Sequence, residues 1–254
     1  MELLKDQGEA GRGDLPASAA GLALFLDIDG TLVDIAPTPD AVAVEPGLAE
    51  SLGRLASRLD GAVALVTGRP IEAVDALFDG LRLPVSGLHG AEWRDTRGDV
   101  SRPEPTDAFL RSRERLRRAV AGWEGVVFED KGVAFAAHWR LAPLHEKEIR
   151  ELMRDIAAKV GEGWTLQAGK CVLELRPKGR DKGDALTGFM AAKPFAGRRP
   201  LAIGDDVTDE AMFAAANAMG GLSVRVGDNG RPTVASGSVA SPAVLRRWIT
   251  GVAA

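Results

Sequence analysis

The sequence predicts an α/β protein: a parallel-sheet core with a smaller α+β domain inserted into it. Three observations predict this. Apolar runs of strand length end abruptly in polar turns; helical patterns follow those turns; and between residues 102 and 178 the alternation gives way to the order αββαββ.

Residues 21–26, GLALFL, stop at Asp27 and have the apolar continuity of a strand buried on both faces of a parallel sheet. Residues 45–59 place Leu48, Leu52, Leu55 and Leu59 at helical spacing, with Pro46 suited to a first helical turn. Residues 62–66, AVALV, form a second buried strand that ends in Thr67-Gly68-Arg69, and a helix follows through Ile71, Val74 and Leu77. The same order returns near the C-terminus, with a helix over 184–192, a strand over 200–203, a helix over 209–218 and a last strand at 224–226. These segments make a Rossmann-like core over 21–101 and 179–254.

The inserted segment reads differently. Residues 106–121 form an Arg-rich amphipathic helix whose charges suit a solvated face, and 126–131 and 133–140 form a hairpin around Gly132. A helix over 143–160 and strands at 164–170 and 171–176 complete it. Trp139 alternates with Val133, Phe135 and Ala137, which assigns it to a core, while His138 and Arg140 take the other face. Cys171 alternates with Leu173 and Leu175 and reads as packing. Residues 1–20 lack an apolar block and read as a flexible lead-in to a cytoplasmic protein.

Composition removes several function classes. With 45% hydrophobic and 27% charged residues the chain is of ordinary globular type, and no run approaches the ~20 apolar residues that span a bilayer. One cysteine excludes an internal disulfide, and the three histidines lack zinc-site spacing. A net charge of -4 argues against a nucleic-acid scaffold. A small-molecule partner and a monomeric state are the expectation.

In open parallel sheets ligands bind beyond the carboxyl ends of strands, and three strands here end in polar turns expected to converge on one crevice. Asp27 and Asp29 divide between them the tasks of phosphoryl hydrolysis, one carboxylate attacking phosphorus and the other protonating the leaving oxygen. Asp27 with Asp205 offers Mg2+ the few carboxylates it prefers. Gly30 lets the loop curl so that N–H groups face phosphate, the Thr67 hydroxyl donates another hydrogen bond, and Lys182 brings a positive charge ahead of a helix. Asp209 and Glu210 suit a helix N-terminus. A calcium loop fits poorly, because with Asp27 as first residue glycine stands fourth instead of sixth, and Leu32 follows.

These residues resemble the motifs of the haloacid-dehalogenase-like phosphatases: LFLDIDGTL the first, Val66-Thr67-Gly68-Arg69 the second, Lys182 the third and GDDVTDE the fourth. Within that superfamily the insertion between the second and third motifs, with the phrases GLHGAE and GDDVTDE, is similar to the trehalose-6-phosphate phosphatases over about residues 20–250. The resemblance implies Asp27 as nucleophile, Asp29 as acid/base lending a backbone carbonyl to Mg2+, Asp205 as the third metal ligand, and Lys182 and Thr67 on phosphate. It adds Gly30, Gly68, Arg69, His89 and Asp206 to the phosphate- and substrate-binding positions. It also implies that residues 102–178 are a cap domain in which Glu129, Lys131 and Glu174 read sugar hydroxyls, and Pro103, Pro177 and Gly179, which interrupt the elements, put its hinges near 100–103 and 177–181. Glu129 and Lys131 share one strand face and Glu174 and Arg176 another, as such reading needs. Two other readings stay open: a phosphatase of another sugar ester, of the sucrose-phosphate or mannosylglycerate-phosphate type, and a sugar-phosphate binding module without turnover.

Overall fold

The structure, a computed structural model, describes residues 15–36, 41–178, 180–228 and 230–254. The chain divides into two compact units. Residues up to 65 together with 182–254 form the first, and residues 66–181 form the second.

The first unit opens with β1 (Leu22–Leu26), α1 (Leu48–Arg58) and β2 (Val63–Val66). The second contains α2 (Ile71–Leu77), β3 (Val85–Gly87), β4 (Glu92–Arg94), β5 (Val100–Ser101), α3 (Asp107–Val120), β6 (Val127–Asp130), β7 (Phe135–His138), α4 (Glu146–Val160), β8 (Trp164–Gly169) and β9 (Val172–Pro177). The chain then completes the first unit with α5 (Lys182–Met190), β10 (Arg199–Gly204), α6 (Glu210–Ala218), β11 (Leu222–Val226), β12 (Gly237–Val239) and α7 (Pro242–Ala253).

In the first unit five parallel strands lie in the order β12-β11-β10-β1-β2. Every residue of β1 and β2 is buried, which explains why their sequences carry no polar alternation. Phe25 of β1 stacks on Phe195 at 5.5 Å between ring centroids, and Phe189 of α5 lies 5.2 Å from Phe195, so α5 covers the sheet through an aromatic cluster.

Several boundaries differ from the sequence reading. Pro46 precedes α1, which starts at Leu48, instead of occupying its first turn. Lys182 is the first residue of α5 and does not stand ahead of the helix. Residues 224–226 are not the last strand, because β12 pairs beside β11. The lead-in expected over 1–20 includes residues 1–14, which lie outside the described residues; of residues 15–20, Ala17, Ser18 and Ala20 are exposed. Ala19 is buried, and the indole Nε1 of Trp248 donates to the Pro16 carbonyl at 2.7 Å, which gives that tryptophan of α7 its role.

In the second unit β3, β4 and β5 pair antiparallel. A separate antiparallel sheet has the order β6-β7-β9-β8. The elements from α3 to β9 follow the αββαββ order read from the sequence. Thr106 caps α3 by accepting from the Phe109 N–H at 3.2 Å, with Asp107 in the first turn and Arg117 and Arg118 in the last, as the helix dipole favours. Phe109, Leu116 and Val120 of α3 and Ile149, Met153 and Ile156 of α4 share one core with Phe135, Trp139, Leu173 and Leu175. Trp139 is thus core, as its alternation indicated, and each such fully buried apolar side chain contributes about 1.5–3 kcal/mol of transfer free energy.

Candidate active site

Two neighbouring parallel strands set the geometry of the first unit's polar centre. The Asp27 N–H, one residue past β1, donates to the Ile203 carbonyl of β10 at 2.9 Å, so the turn after β1 and the turn after β10 start level. Beyond Asp27 the chain tightens: the Ile28 carbonyl accepts from the N–H groups of Thr31, Leu32 and Val33, and Gly30 N–H donates to Val33 O at 2.8 Å. The N–H groups of residues 30–33 are therefore spent inside the turn. Glycine is required at residue 30. Its φ is +83°, and a Cβ would sit 2.2 Å from Asp205 Oδ2. Arg246 of α7 braces the same turn from outside by donating to the Leu32 carbonyl at 3.2 Å and pairing with Asp34 at 3.1 Å.

Lys182 is buried between two carboxylates, with Nζ 2.7 Å from Asp27 Oδ1 and 2.6 Å from Asp209 Oδ1. Asp209 Oδ2 accepts from the backbone N–H groups of Asp205 and Asp206, both at 3.0 Å. Its role exceeds helix capping: a fully buried carboxylate fixes the lysine on one side and the turn after β10 on the other. Asp205 is half-buried and its Oδ1 accepts from the Thr31 hydroxyl at 3.3 Å. Asp29 is half-buried on the same turn and bridges to Val33. Asp206 is exposed, with Arg231 Nη1 at 3.8 Å.

Charge at this centre is out of balance. Burial pushes the Asp27 carboxyl well above its ordinary value; Lys182 pulls it down, and Asp209 and Asp205 push it further up. Burial, with Asp209 next, raises Asp205 to about 7. Burial disfavours the charge of Lys182, but Asp209 and Asp27 outweigh it and hold the ammonium firmly protonated. Carboxylate oxygens of Asp27, Asp205 and Asp209 all lie within 4.8 Å of one another. Three carboxylates against one ammonium leave two negative charges, the complement of one divalent cation. Both oxygens of Asp209 are committed to Lys182 and to backbone N–H groups.

The remaining sequence candidates lie in the second unit. Thr67 is buried and its Oγ1 accepts from Arg69 N–H at 3.1 Å, which leaves the hydroxyl proton to donate. Gly68 lies under the His89 ring, where a Cβ would come within 2.6 Å of Nε2. Glu92 accepts from the Ile71 N–H at 2.7 Å, capping α2 just after the 67–69 turn, and burial raises its carboxyl. On the four-stranded sheet Lys131 Nζ lies 2.8 Å from Glu174 Oε2 and 3.7 Å from Glu129 Oε2. His138 Nε2 stands 2.8 Å from the same Glu129 oxygen. Lys131 and Glu174 expose only 12% and 8% of their side chains, so these are not solvated surface charges. Burial raises the Glu129 carboxyl, yet the His138 hydrogen bond and the Lys131 and Arg69 charges bring it below its ordinary value. Glu174 Oε1 is buried without a hydrogen-bond partner, an acceptor placed for a hydroxyl donor.

Sequence reasoning missed Asp209 as more than a helix cap, although the density of acids in GDDVTDE was a visible signal.

A parallel sheet with a buried Asp-Lys-Asp chain at the carboxyl ends of two adjacent central strands, and an αββαββ segment between the motifs, defines the haloacid-dehalogenase-like class. A model of the family described as trehalose-phosphatase matches residues 25–242. The chain is 51% identical over 231 residues to a protein of Sinorhizobium fredii named probable trehalose-phosphate phosphatase, covering 91% of this chain and 87% of that one. It is 42% identical over 215 residues to the trehalose-6-phosphate phosphatase of Escherichia coli (strain K12), covering 84% and 80%. A crystal structure described as a trehalose-6-phosphate phosphatase related protein superposes with a TM-score of 0.76 at 29% identity, covering 91% of this chain and 96% of that one. The chain belongs to the trehalose-phosphatase family.

Proposed function

We propose that this protein hydrolyses trehalose 6-phosphate to trehalose and phosphate through an aspartyl-phosphate. The observation that carries the reading is the buried Lys182 held between Asp27 and Asp209, beside Asp205. A carboxylate oxygen of Asp27 attacks phosphorus as the bond to the sugar oxygen breaks, and Asp29 gives that oxygen its proton. Asp29 then takes a proton from water, which attacks phosphorus and displaces Asp27. Lys182 opposes charge developing on the transferred group, Asp209 keeps the ammonium aimed, and Thr67 donates its hydroxyl proton to a phosphate oxygen. Asp27 and Asp205, with the backbone carbonyl of Asp29, would hold Mg2+, which supplies Lewis-acid neutralisation of phosphate charge when bound. Gly30 and Gly68 shape the two turns, and Arg69, His89 and Asp206 complete the phosphate and substrate contacts.

The substrate's sugar hydroxyls are read by Glu129, Lys131 and Glu174, whose mutual pairing leaves the buried Glu174 Oε1 to accept from a hydroxyl. In this reading residues 102–178 act as a specificity cap, with hinges near 100–103 and 177–181; Gly179 of the second hinge lies outside the described residues. Among the described residues no helix is long and apolar enough to cross a membrane. The reading takes the protein as a cytoplasmic monomer that binds no nucleic acid.

The test is phosphate release from trehalose 6-phosphate with and without Mg2+, compared with glucose 6-phosphate and with Asp27→Asn. Metal-dependent release, lost in the variant and weak with glucose 6-phosphate, is the expected result. Faster release from another sugar ester would displace the named substrate, and no release from any ester would overturn catalysis.

A further inference from the structure

Leu88 and His89 are two consecutive non-glycine residues with positive φ, +47° and +55°. A conformation this unfavourable persists when its surroundings impose it. Here Leu88 N–H donates to Arg69 O at 3.1 Å and His89 N–H to Thr67 O at 3.0 Å, so the strained pair is strapped along the 67–69 turn. The strap lays the imidazole directly over Gly68.

The same ring nitrogen meets the four-stranded sheet. His89 Nε2 lies 3.3 Å from the side-chain nitrogen of Gln167 on β8, and Gln167 Oε1 accepts from Arg176 Nε on β9 at 2.5 Å. Register places Gln167 opposite Glu174, the sugar-reading carboxylate, and Arg176 two residues further along β9. Arginine has donors only, so the Gln167 oxygen is committed to it and the amide N–H must face His89. His89 Nε2 is then an acceptor, and the ring is neutral with its proton on Nδ1. A proton on Nε2 would face the Gln167 N–H donor to donor.

We propose that Gln167, oriented by Arg176, is a positioning residue for hydrolysis: it holds His89 as the neutral Nδ1–H tautomer over Gly68 and so fixes the 67–69 turn. The inference rests on the functional reading above in assigning that turn to phosphate. It makes the sugar-reading sheet and the 67–69 turn one hydrogen-bonded assembly within the second unit.

The test has a readout independent of the sugar. Side-chain 15N–1H correlation spectra of the labelled full-length protein contain only three imidazoles, and His138→Gln and His145→Gln assign His89 by elimination. The wild type should show Nδ1–H at His89. Gln167→Glu, whose two oxygens only accept, should convert it to Nε2–H or imidazolium, and Arg176→Met should mix the tautomers by freeing the amide. Both variants should lose roughly tenfold in kcat/KM, the effect of one hydrogen bond, on trehalose 6-phosphate and on p-nitrophenyl phosphate alike. A proton on Nε2 in the wild type overturns the proposal. So does a tautomer that Gln167→Glu leaves unchanged, or a shifted tautomer with unchanged kinetics. A loss confined to the sugar ester makes Gln167 a sugar contact and also overturns it. If the wild type spares trehalose 6-phosphate altogether, the substrate reading fails while the spectra and the p-nitrophenyl phosphate rates still decide the role of Gln167.

Discussion

Asp209→Asn replaces one atom of a buried carboxylate, and the structure fixes where the damage falls. In one orientation the new amide N–H meets the backbone N–H groups of Asp205 and Asp206; in the other it meets the Lys182 ammonium. Either way a donor faces a donor. Breaking a buried charge pair costs about 3–5 kcal/mol, and hydrogen bonds to a charged group contribute ~1.5–3 kcal/mol each. Removing one of three crowded carboxylates relieves repulsion on Asp27 and Asp205, which offsets part of this. The net loss of stability should be about 2–4 kcal/mol, read from the urea midpoint at constant m-value. Without its second anchor Lys182 no longer points at the transferring phosphoryl group, so kcat should fall by roughly 10²–10³, the effect of losing one preorganised donor. Asp206→Asn, at an exposed position in the same motif, should stay within about 0.5 kcal/mol. A stability change in Asp209→Asn below ~0.5 kcal/mol, with kcat within threefold of wild type, would refute the assignment of Asp209 as the anchor.

Gly30→Ala should cost about 1–2 kcal/mol for the left-handed backbone and displace Asp205, raising the Mg2+ concentration needed for half-maximal activity; unchanged Mg2+ dependence would break the link between that glycine and Asp205. In EDTA-treated protein Asp205 titrates near 7 in the folded state against about 3.8 unfolded, so the folded state holds the proton more tightly. Its contribution to stability is present below pH ~4 and lost as pH rises to about 7, so wild type should lose melting temperature across that window relative to Asp205→Asn, and Mg2+ at pH 8 should restore it. Parallel pH curves for the two proteins would contradict this. Glu174→Gln swaps a buried acceptor oxygen facing Lys131 or the sugar for an amide, and should raise KM for trehalose 6-phosphate about tenfold while leaving p-nitrophenyl phosphate turnover intact. Equal losses on both substrates would remove the residue from sugar recognition.

The acidic turn after β1 was legible because the sequence states it locally: a fully apolar strand that breaks into Asp27 needs no long-range partner to be noticed. The αββαββ segment was legible for the same reason, through a change of period between residues 102 and 178. β3, β4 and β5 escaped notice because strands of three, three and two residues carry too little alternation to register. Asp209 looked like a helix cap because its decisive partner, Lys182, stands 27 positions away. The Lys131–Glu174 pair spans 43 positions, and the face each residue takes follows from sheet register, which composition does not encode. Lys131 itself lies just past β6, so the shared strand face assigned to it with Glu129 is an extension of the strand into its turn.

The brace from α7 to the Asp27 turn has a kinetic consequence. Asp27 and Lys182 are separated by 155 positions, Thr31 and Asp205 by 174, and Leu32 and Arg246 by 214. A chain ending just before α7 contains all four motifs yet lacks Arg246 and so lacks part of the support of the Asp27 turn. Contacts this remote in sequence form slowly, because chain loops must close before the contacts repay them. Activity on refolding should therefore emerge with the last structural phase, and a chain cut after residue 241 should keep Asp27, Lys182 and Asp205 yet hold them on an unbuttressed turn.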